Sequence, residues 1–307
     1  MAADPAPIAV NQLPAIRPTL PLPLRPPLSL SGRPAALHRL VLGYEPIPEW
    51  MSVLGGARDR YLLEPVTAAA VEYPDGRWVL LDTGFNVDTV RDPAARAAHY
   101  NYESYTAVVP PGDPLLDQTA RLGLDWAALA GAAVSHLHLD HSGGLRHLSG
   151  GPPVFVQRAE WAFATEEAGL AHTYFRDDYL DRDLDVRLLD GDSALAPGLT
   201  ALDTRGHTPG HQSFRVELGA RSIVLACDAA DLRRNISETV PCGTTTGPGL
   251  IPAAERAIRR LHALDATEGC EVWPGHDPEF WAWRQPGTER AAPGGLSAPA
   301  APGAPNG

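Results

Sequence analysis

The chain has 307 residues, of which 44% are hydrophobic and 7% aromatic, and its formal net charge is -12. This length can form one large or two small domains around a substantial core, and the composition is ordinary for a soluble globular protein. The negative charge argues against broad attraction to nucleic acid or to an anionic membrane, and it disfavours a strongly anionic substrate.

Both ends of the chain differ in composition from the region between them. Residues 1–34 are rich in Pro and Ala, as in PAIRPTLPLPLRPPLSL from Pro14 onward, and residues 291–307 have the same character. Such segments favour extended, disordered chain because they supply too few apolar side chains for a packed core. The sequence therefore predicts one folded domain at residues 35–290 between two disordered segments.

The central region alternates short apolar runs with turn residues. A hairpin is expected where runs at 67–73 and 77–81 flank Pro74-Asp75-Gly76. Further strands are predicted at 132–135, 154–156, 186–189, 199–202, 213–217 and 222–226. Helical periodicity favours helices at 114–122, 144–148, 159–167 and 253–264. Many strands with interspersed helices indicate two packed sheets covered by helices.

The segment SHLHLDHSGG at 135–144 holds four side chains that can bind metal. His136 and His138 are two apart in extended chain, which places both imidazoles on one side and the neighbouring leucines on the other. Asp140 and His141 follow where the chain turns toward two glycines, so they can face a second nearby position. Four ligands within six residues are too many for one tetrahedral ion but suit two ions about 3.5–4 Å apart.

Three further candidate ligands follow strand-like runs elsewhere in the chain. His207 comes after the run at 199–202, Asp228 closes the run that begins at Ile223, and His276 comes after Val272. Ligands held at the ends of rigid strands are typical of a site whose geometry the protein fixes. The seven residues together therefore predict a centre for two divalent metal ions.

The order His-x-His-x-Asp-His, followed by His, Asp and His, resembles the metallo-β-lactamase superfamily over roughly residues 60–285. This resemblance implies an αββα four-layer sandwich with two metal ions, zinc in the first instance, at one edge between the sheets. It implies that one ion is held by His136, His138 and His207, the other by Asp140, His141 and His276, and that Asp228 bridges them. Asp82, in the early Asp-Thr-Gly turn, is expected to fix the loop beneath the metals. His211 is expected to support the ligands from behind.

Shorter motifs resemble the N-acyl homoserine lactonases, namely SHLHLDHSGG, VQRAE at 156–160, TPGHQS at 208–213 and GHD at 275–277. The implied reaction opens a small lactone ring and silences quorum signals. Asp140 is the candidate to orient the nucleophile and protonate the leaving group. The acyl pocket is predicted at Leu139 and at four aromatic residues, Trp161, Phe163, Tyr174 and Phe175.

One position departs from the lactonase pattern. Where that pattern has a Tyr, three residues after the bridging Asp and close to the substrate carbonyl, this chain has Asp231. An ionised acid there adds negative charge near the metals and cannot replace the neutral donor of a phenol. We assign Asp231 to substrate binding, and the departure leaves the substrate open.

Several alternatives share the same ligands. Other ester hydrolysis and a glyoxalase II-like thioesterase stay open, although the latter needs a cationic patch and the C-terminal region has no basic run. Iron in place of zinc would give a redox enzyme, since ligand sets overlap.

Three cysteines, Cys227, Cys242 and Cys270, form no C-x-x-C pair and suggest reduced thiols in the cytoplasm. No apolar run could span a bilayer. A small-molecule substrate is expected, and homodimerisation stays open by resemblance only.

Overall fold

The computed structural model describes residues 17–18, 27–99, 107–166, 173–283 and 286–291. Within these residues the strands are β1 (Arg17–Pro18), β2 (Ala36–Pro48), β3 (Tyr61–Glu72), β4 (Trp78–Leu81), β5 (Leu129–Ala133), β6 (Val154–Gln157), β7 (Val186–Leu189), β8 (Ser193–Ala196), β9 (Leu199–Asp203), β10 (Gln212–Leu218), β11 (Arg221–Leu225), β12 (Cys270–Trp273) and β13 (Gly287–Arg290). The α-helices are α1 (Glu49–Ser52), α2 (Val87–Arg91), α3 (Pro93–His99), α4 (Pro114–Arg121), α5 (Leu139–Ser142), α6 (Arg158–Thr165), α7 (Arg176–Tyr179), α8 (Arg233–Glu238), α9 (Ile251–Asp265) and α10 (Pro278–Trp283). Short 3₁₀ turns lie at Trp126–Ala128, Leu145–Leu148, Cys227–Ala229 and Pro248–Leu250.

The described strands form two sheets. One has eight strands in the order β1-β7-β6-β5-β4-β3-β2-β13, and the other has five in the order β12-β11-β10-β9-β8. Strands β4, β5, β6 and β7 run parallel, as do β11 and β12. Because parallel neighbours end at the same edge of a sheet, the loops that follow these strands are brought close together.

Three apolar clusters show how the layers stack. The inter-sheet core joins side chains of the large sheet, such as Val79 and Phe155, to side chains of the small sheet, such as Phe214 and Val216. A second cluster packs the outer face of the large sheet against helices α4, α6 and α7. A third packs the outer face of the small sheet against α8 and α9. The fold is therefore the expected αββα sandwich, and no helix of its described part is long and apolar enough to cross a membrane.

Most strands and three of the four helices predicted from the sequence are present, with ends shifted by a few residues, whereas the segment predicted at 144–148 forms a 3₁₀ turn at Leu145–Leu148. The longest strand, β2, was not predicted, because Gly43, Pro46 and Pro48 interrupt its pattern and proline lacks the N–H that a ladder needs. Strand β2 pairs with β3 from Ala36 opposite Glu72 to Pro48 opposite Tyr61. We call the distal part of this pair, residues 44–48 and 61–65, the β2–β3 ribbon.

The folded part of the chain begins before the predicted boundary at residue 35. Leu28 and Leu30 are both buried in the inter-sheet core. The Leu28 amide donates to the carbonyl of Leu195 in the small sheet, and its side chain packs beside Gly131 in the large sheet. The boundary is therefore corrected to residue 27 or earlier, because two leucines in the Pro-rich segment supply the apolar area that its composition obscures. Residues 19–26 and 292–307 lie outside the described residues.

A cavity-forming substitution tests this boundary. Leu28→Ala is expected to lower the free energy of unfolding by about 2–4 kcal/mol, because it removes a buried side chain that contacts both sheets. Leu63→Ala, at a side chain that is 56% exposed, is the matched control and should change it by less than about 0.5 kcal/mol. Urea unfolding followed by circular dichroism measures both. Equal, small effects would show that the segment around Leu28 is not part of the core.

Candidate metal centre

The seven predicted ligands come from four loops at one edge of the two sheets. His136 and His138 follow β5, and the short helix α5 begins directly after His138 and carries Asp140 and His141. His207 lies between β9 and β10, and His276 follows β12. Asp228 occupies a 3₁₀ turn after β11, where Cys227 has a positive φ of 49°. This left-handed residue turns the chain sharply at the end of the strand.

These residues form two groups that share one carboxylate. The first is His136, His138, His207 and Asp228, and the second is Asp140, His141, Asp228 and His276. Within each group, one ligand atom per residue lies within 4.8 Å of the others. Asp228 Oδ2 lies 3.6 Å from His136 Nε2 and 3.3 Å from His207 Nε2. Its Oδ1 lies 3.0 Å from His141 Nε2 and 2.9 Å from His276 Nε2.

Several imidazole nitrogens of the first group have no hydrogen-bond partner among the described residues. Nε2 of His136 and Nε2 of His138 are buried and form no hydrogen bond with any described residue. Nδ1 of His138 and Nε2 of His207 approach each other to 3.1 Å. Burial holds the pKa of all three imidazoles below its usual range, so they are neutral and present lone pairs. Neutral imidazoles converging on one carboxylate fit a divalent ion.

The second group concentrates negative charge. Burial alone would lower the pKa of His141, but the carboxylates of Asp140 and Asp228 outweigh it and raise that pKa well above the usual range. The pKa of His276 is raised in the same way, mainly by Asp228. Two buried carboxylates therefore draw positive charge to this position. A bound cation would supply that charge without protonating the imidazoles.

Two predicted supporting residues lie behind the ligands. Asp82 Oδ2 is 3.0 Å from His141 Nδ1, and its Oδ1 accepts a 2.6 Å hydrogen bond from the Ser135 amide. Asp82 itself has a left-handed backbone, with a φ of 58°. His211 is fully buried, and its Nδ1 lies 2.9 Å from Thr204 Oγ1. Its ring packs against His136, with the two ring centroids 5.3 Å apart.

A buried carboxylate that sequence reasoning did not single out joins the ligand loops. Glu160 Oε1 accepts from the Leu137 amide and the Tyr174 hydroxyl, each at 3.0 Å. Its Oε2 accepts from Thr208 Oγ1 at 2.6 Å and from the Gly210 amide at 3.2 Å. Four donors on one side chain tie the loop of His136 and His138 to the loop of His207. The sequence feature that could have indicated this role is a single acidic residue, Glu160, on the apolar face of helix α6.

A cavity of about 420 Å³ opens onto both groups. His138, Asp140, His207, Asp228 and His276 line one side of it. The remaining lining residues are Glu45, Pro46, Ile47, Pro48, Met51, Glu64, Leu139, Thr173, Asp231, Thr244, Thr245 and Thr246. Both predicted substrate contacts, Leu139 and Asp231, are therefore at the cavity.

The four aromatic residues predicted for the acyl pocket lie elsewhere. Trp161 and Tyr174 are buried in the core beneath the large sheet, and Phe163 packs against that core. Phe175 belongs to a separate apolar cluster with Phe85 and Leu139. None of the four lines the cavity among the described residues. That expectation was wrong because aromatic residues near a site in sequence are most often used for packing.

The same family is indicated by comparison with known proteins. The sequence model of the metallo-beta-lactamase superfamily matches residues 62–268, and the chain belongs to this superfamily. N-acyl homoserine lactonase AttM of Agrobacterium fabrum is 29% identical over 231 residues, which cover 71% of this chain and 84% of the relative. N-acyl homoserine lactonase AiiA of Bacillus thuringiensis subsp. kurstaki is 29% identical over 217 residues, which cover 70% and 82%.

A solved structure shows the same likeness in three dimensions. It is an N-acyl homoserine lactone hydrolase with the product N-hexanoyl-L-homoserine bound at its catalytic metal centre. The TM-score is 0.71 at 25% sequence identity, and the alignment covers 82% of this chain and 97% of that one. The αββα sandwich is therefore common to both proteins.

Replacing Glu160 tests its role in holding the ligand loops. In Glu160→Gln, an amide N–H₂ must face one pair of donors, so two hydrogen bonds are lost inside a buried network. We expect affinity for divalent metal to fall about 10- to 100-fold and the free energy of unfolding to fall by about 2 kcal/mol. Competition with a chelator measures the metal affinity, and urea unfolding measures the free energy of unfolding. Glu166→Gln, at an exposed position after the same helix, is the control and should leave both unchanged.

Proposed function

We propose that the protein is a dinuclear metal-dependent lactonase that opens the ring of N-acyl homoserine lactones. The observation that carries this proposal is the shared carboxylate of Asp228 between two ligand groups at the floor of a cavity large enough for a small acylated lactone. The likeness to lactonases in both sequence and structure supports the choice of substrate. A cytoplasmic setting is part of the proposal and is supported by three free thiols.

The residues present would hold two zinc ions. His136, His138 and His207 would hold one ion and Asp140, His141 and His276 the other, with Asp228 shared. Imidazole nitrogen and carboxylate oxygen are common zinc donors, although iron accepts the same set. When bound, such a pair supplies Lewis acidity and lowers the pKa of water held at the site.

Asp140 is the residue best placed to move the proton of ring opening. Its carboxylate lies 3.0 Å from His141 Nε2 and also faces the cavity. In the reaction, water oxygen bonds to the lactone carbonyl carbon, and the bond from that carbon to the ring oxygen breaks. Asp140 would orient the water, accept its proton and return a proton to the departing alkoxide. The product is a hydroxy acid that ionises and releases one proton.

The apolar side of the cavity is the proposed acyl site. On the β2–β3 ribbon, Glu45 pairs with Glu64 and Ile47 pairs with Leu62, so these residues share one face. On β3, Leu63 and Tyr61 are more than half exposed, so they lie on the outer face of the ribbon. Ile47, together with Met51 and Leu139, therefore offers an acyl chain its apolar wall.

A glyoxalase II-like thioesterase is the second candidate, and the cavity argues against it. Glutathione brings two carboxylates, which proteins hold with Arg or Lys. Among the described residues that line the cavity, neither Arg nor Lys is present, whereas five carboxyl side chains are. The metal groups alone would have to balance the charge of such a substrate.

Turnover of a lactone panel tests the proposed function. Zinc-loaded protein should open N-acyl homoserine lactones, and the assay measures the proton released when the ring opens. Asp140→Asn should lower kcat by about 10²- to 10⁴-fold. His138→Ala removes a ligand and serves as the blank, and dialysis against a chelator should abolish turnover until zinc is restored. S-lactoylglutathione and phenyl acetate are run alongside.

Two results would contradict the assignment. If the protein hydrolyses none of the acylated lactones but does hydrolyse S-lactoylglutathione or phenyl acetate, it is a metal-dependent hydrolase and not a lactonase. Iron in protein purified without added metal, together with inactivity of the zinc form, would favour redox chemistry instead.

The acyl site predicts a change in chain-length preference. Ile47→Trp fills part of the apolar wall, and the KM for N-decanoyl homoserine lactone should rise at least about tenfold relative to that for the butanoyl substrate. Leu63→Trp places the same side chain on the outer face of the ribbon and should leave the ratio unchanged. A ratio that moves equally in both variants would place the acyl chain elsewhere.

A further inference from the structure

Three carboxyl groups that are not predicted metal ligands line the cavity. Glu45 and Glu64 lie directly opposite each other across the β2–β3 ribbon, and Asp231 follows the turn that carries Asp228. All three are buried, with exposed fractions of 6%, 2% and 8%. We call these residues the acidic wall. Like charges placed opposite each other across two strands destabilise a sheet, and a ligand that donates to these carboxyl groups would offset that cost.

Asp231 has an unused acceptor at this wall. Its Oδ1 is buried and forms no hydrogen bond with any described residue. Its backbone is well fixed, because the Asp231 carbonyl accepts from the His276 amide at 2.9 Å and its amide donates to Cys242 Sγ at 3.4 Å. A buried acceptor without a partner is costly, and a ligand that donates to it removes that cost.

The acidic wall stands beside the second ligand group. Asp231 is hydrogen-bonded to His276 through the backbone, and Glu64 precedes Pro65, whose carbonyl lies 3.0 Å from His276 Nδ1. In an N-acylated amino lactone the nitrogen is two bonds from the carbonyl carbon that reacts. A lactone bound with its carbonyl at the ligand groups therefore holds this nitrogen within a few ångströms of them.

We propose that the acidic wall selects the substrate by accepting a hydrogen bond from a donor nitrogen next to the lactone ring and by repelling carboxylates. This inference rests on the proposed lactonase function and specifies the substrate class: uncharged lactones with an amide N–H. Asp231 is the first acceptor, because its Oδ1 is free. Glu45 and Glu64 extend the acidic wall along the ribbon.

Binding of ring-stable lactams tests this selection without turnover. Three γ-lactams are titrated into the zinc-loaded protein by calorimetry. The first has a hexanoyl amide on the ring, the second has a hexanoyl ester in place of that amide and so lacks its N–H, and the third has an amide-linked chain ending in a carboxylate close to the ring. The wild-type protein should bind the amide roughly ten- to a hundredfold more tightly than the ester, and the carboxylate compound least.

Two substitutions at Asp231 separate the hydrogen bond from the charge. Asp231→Leu has nearly the same shape and no acceptor, so amide and ester should bind within about threefold of each other. Asp231→Asn keeps an acceptor and removes the charge, so the preference for the amide should remain while the carboxylate compound gains about tenfold. Glu268→Gln changes the net charge by the same amount at an exposed position and should match wild type. Zinc content and thermal unfolding verify that each variant is folded and loaded.

Two outcomes overturn the inference. One is equal binding of amide and ester by the wild type, and the other is an unchanged preference in folded, zinc-loaded Asp231→Leu. Failure of the proposed function looks different, because the amide lactam would then be selected in the calorimeter while no lactone is opened in the turnover assay. If the amide lactam binds most tightly and the acylated lactones are also opened, the results support both the selection by the acidic wall and the proposed lactonase function.

Discussion

The carboxylate of Asp228 faces a different set of imidazoles with each of its oxygens, and the geometry of the whole edge follows from that arrangement. Oδ2 faces His136 and His207, and Oδ1 faces His141 and His276, all between 2.9 and 3.6 Å. The arrangement fits divalent cations, because Nε2 of His136 and Nε2 of His141 are buried without a hydrogen-bond partner among the described residues. Four separate loops must therefore be held in place, which explains the buried supports of Asp82 and Glu160.

The residues of the two groups could be predicted from the sequence because their signal is local. His136 and His138 alternate with leucines over a few residues, and each distant ligand directly follows an apolar strand. Glu160 and the β2–β3 ribbon could not be predicted in this way. The role of Glu160 depends on donors from three other segments, including Tyr174 and Gly210. The ribbon was hidden by prolines that are tolerated where no neighbouring strand needs their missing N–H.

The substrate cavity combines two surfaces that come from the same strand pair. Alternation along β2 places Glu45 and Ile47 on the inner face of the ribbon, so an acidic and an apolar contact are only two residues apart. The apolar wall proposed for the acyl chain includes Ile47 of this ribbon and, among the described lining residues, none of the aromatic residues expected from the sequence. Tyr174 shows why the expectation failed, since its ring packs against His138 and its hydroxyl is used by Glu160.

The negative charge at the cavity bears on the role of Asp231 in substrate selection. With a formal net charge of -12 and no Arg or Lys among the described lining residues, positive charge at the site would come from the bound ions. A phenol at this position would donate one hydrogen bond and add no charge, whereas Asp231 adds an acceptor to a wall already built from Glu45 and Glu64. The two wall glutamates face each other in register, so the acidity is a property of the ribbon and not of one substitution. Because accepting groups favour donors and disfavour anions, the proposed acidic wall would distinguish the uncharged amide of an acylated lactone from carboxylate-bearing thioesters, although both classes suit the same metal chemistry.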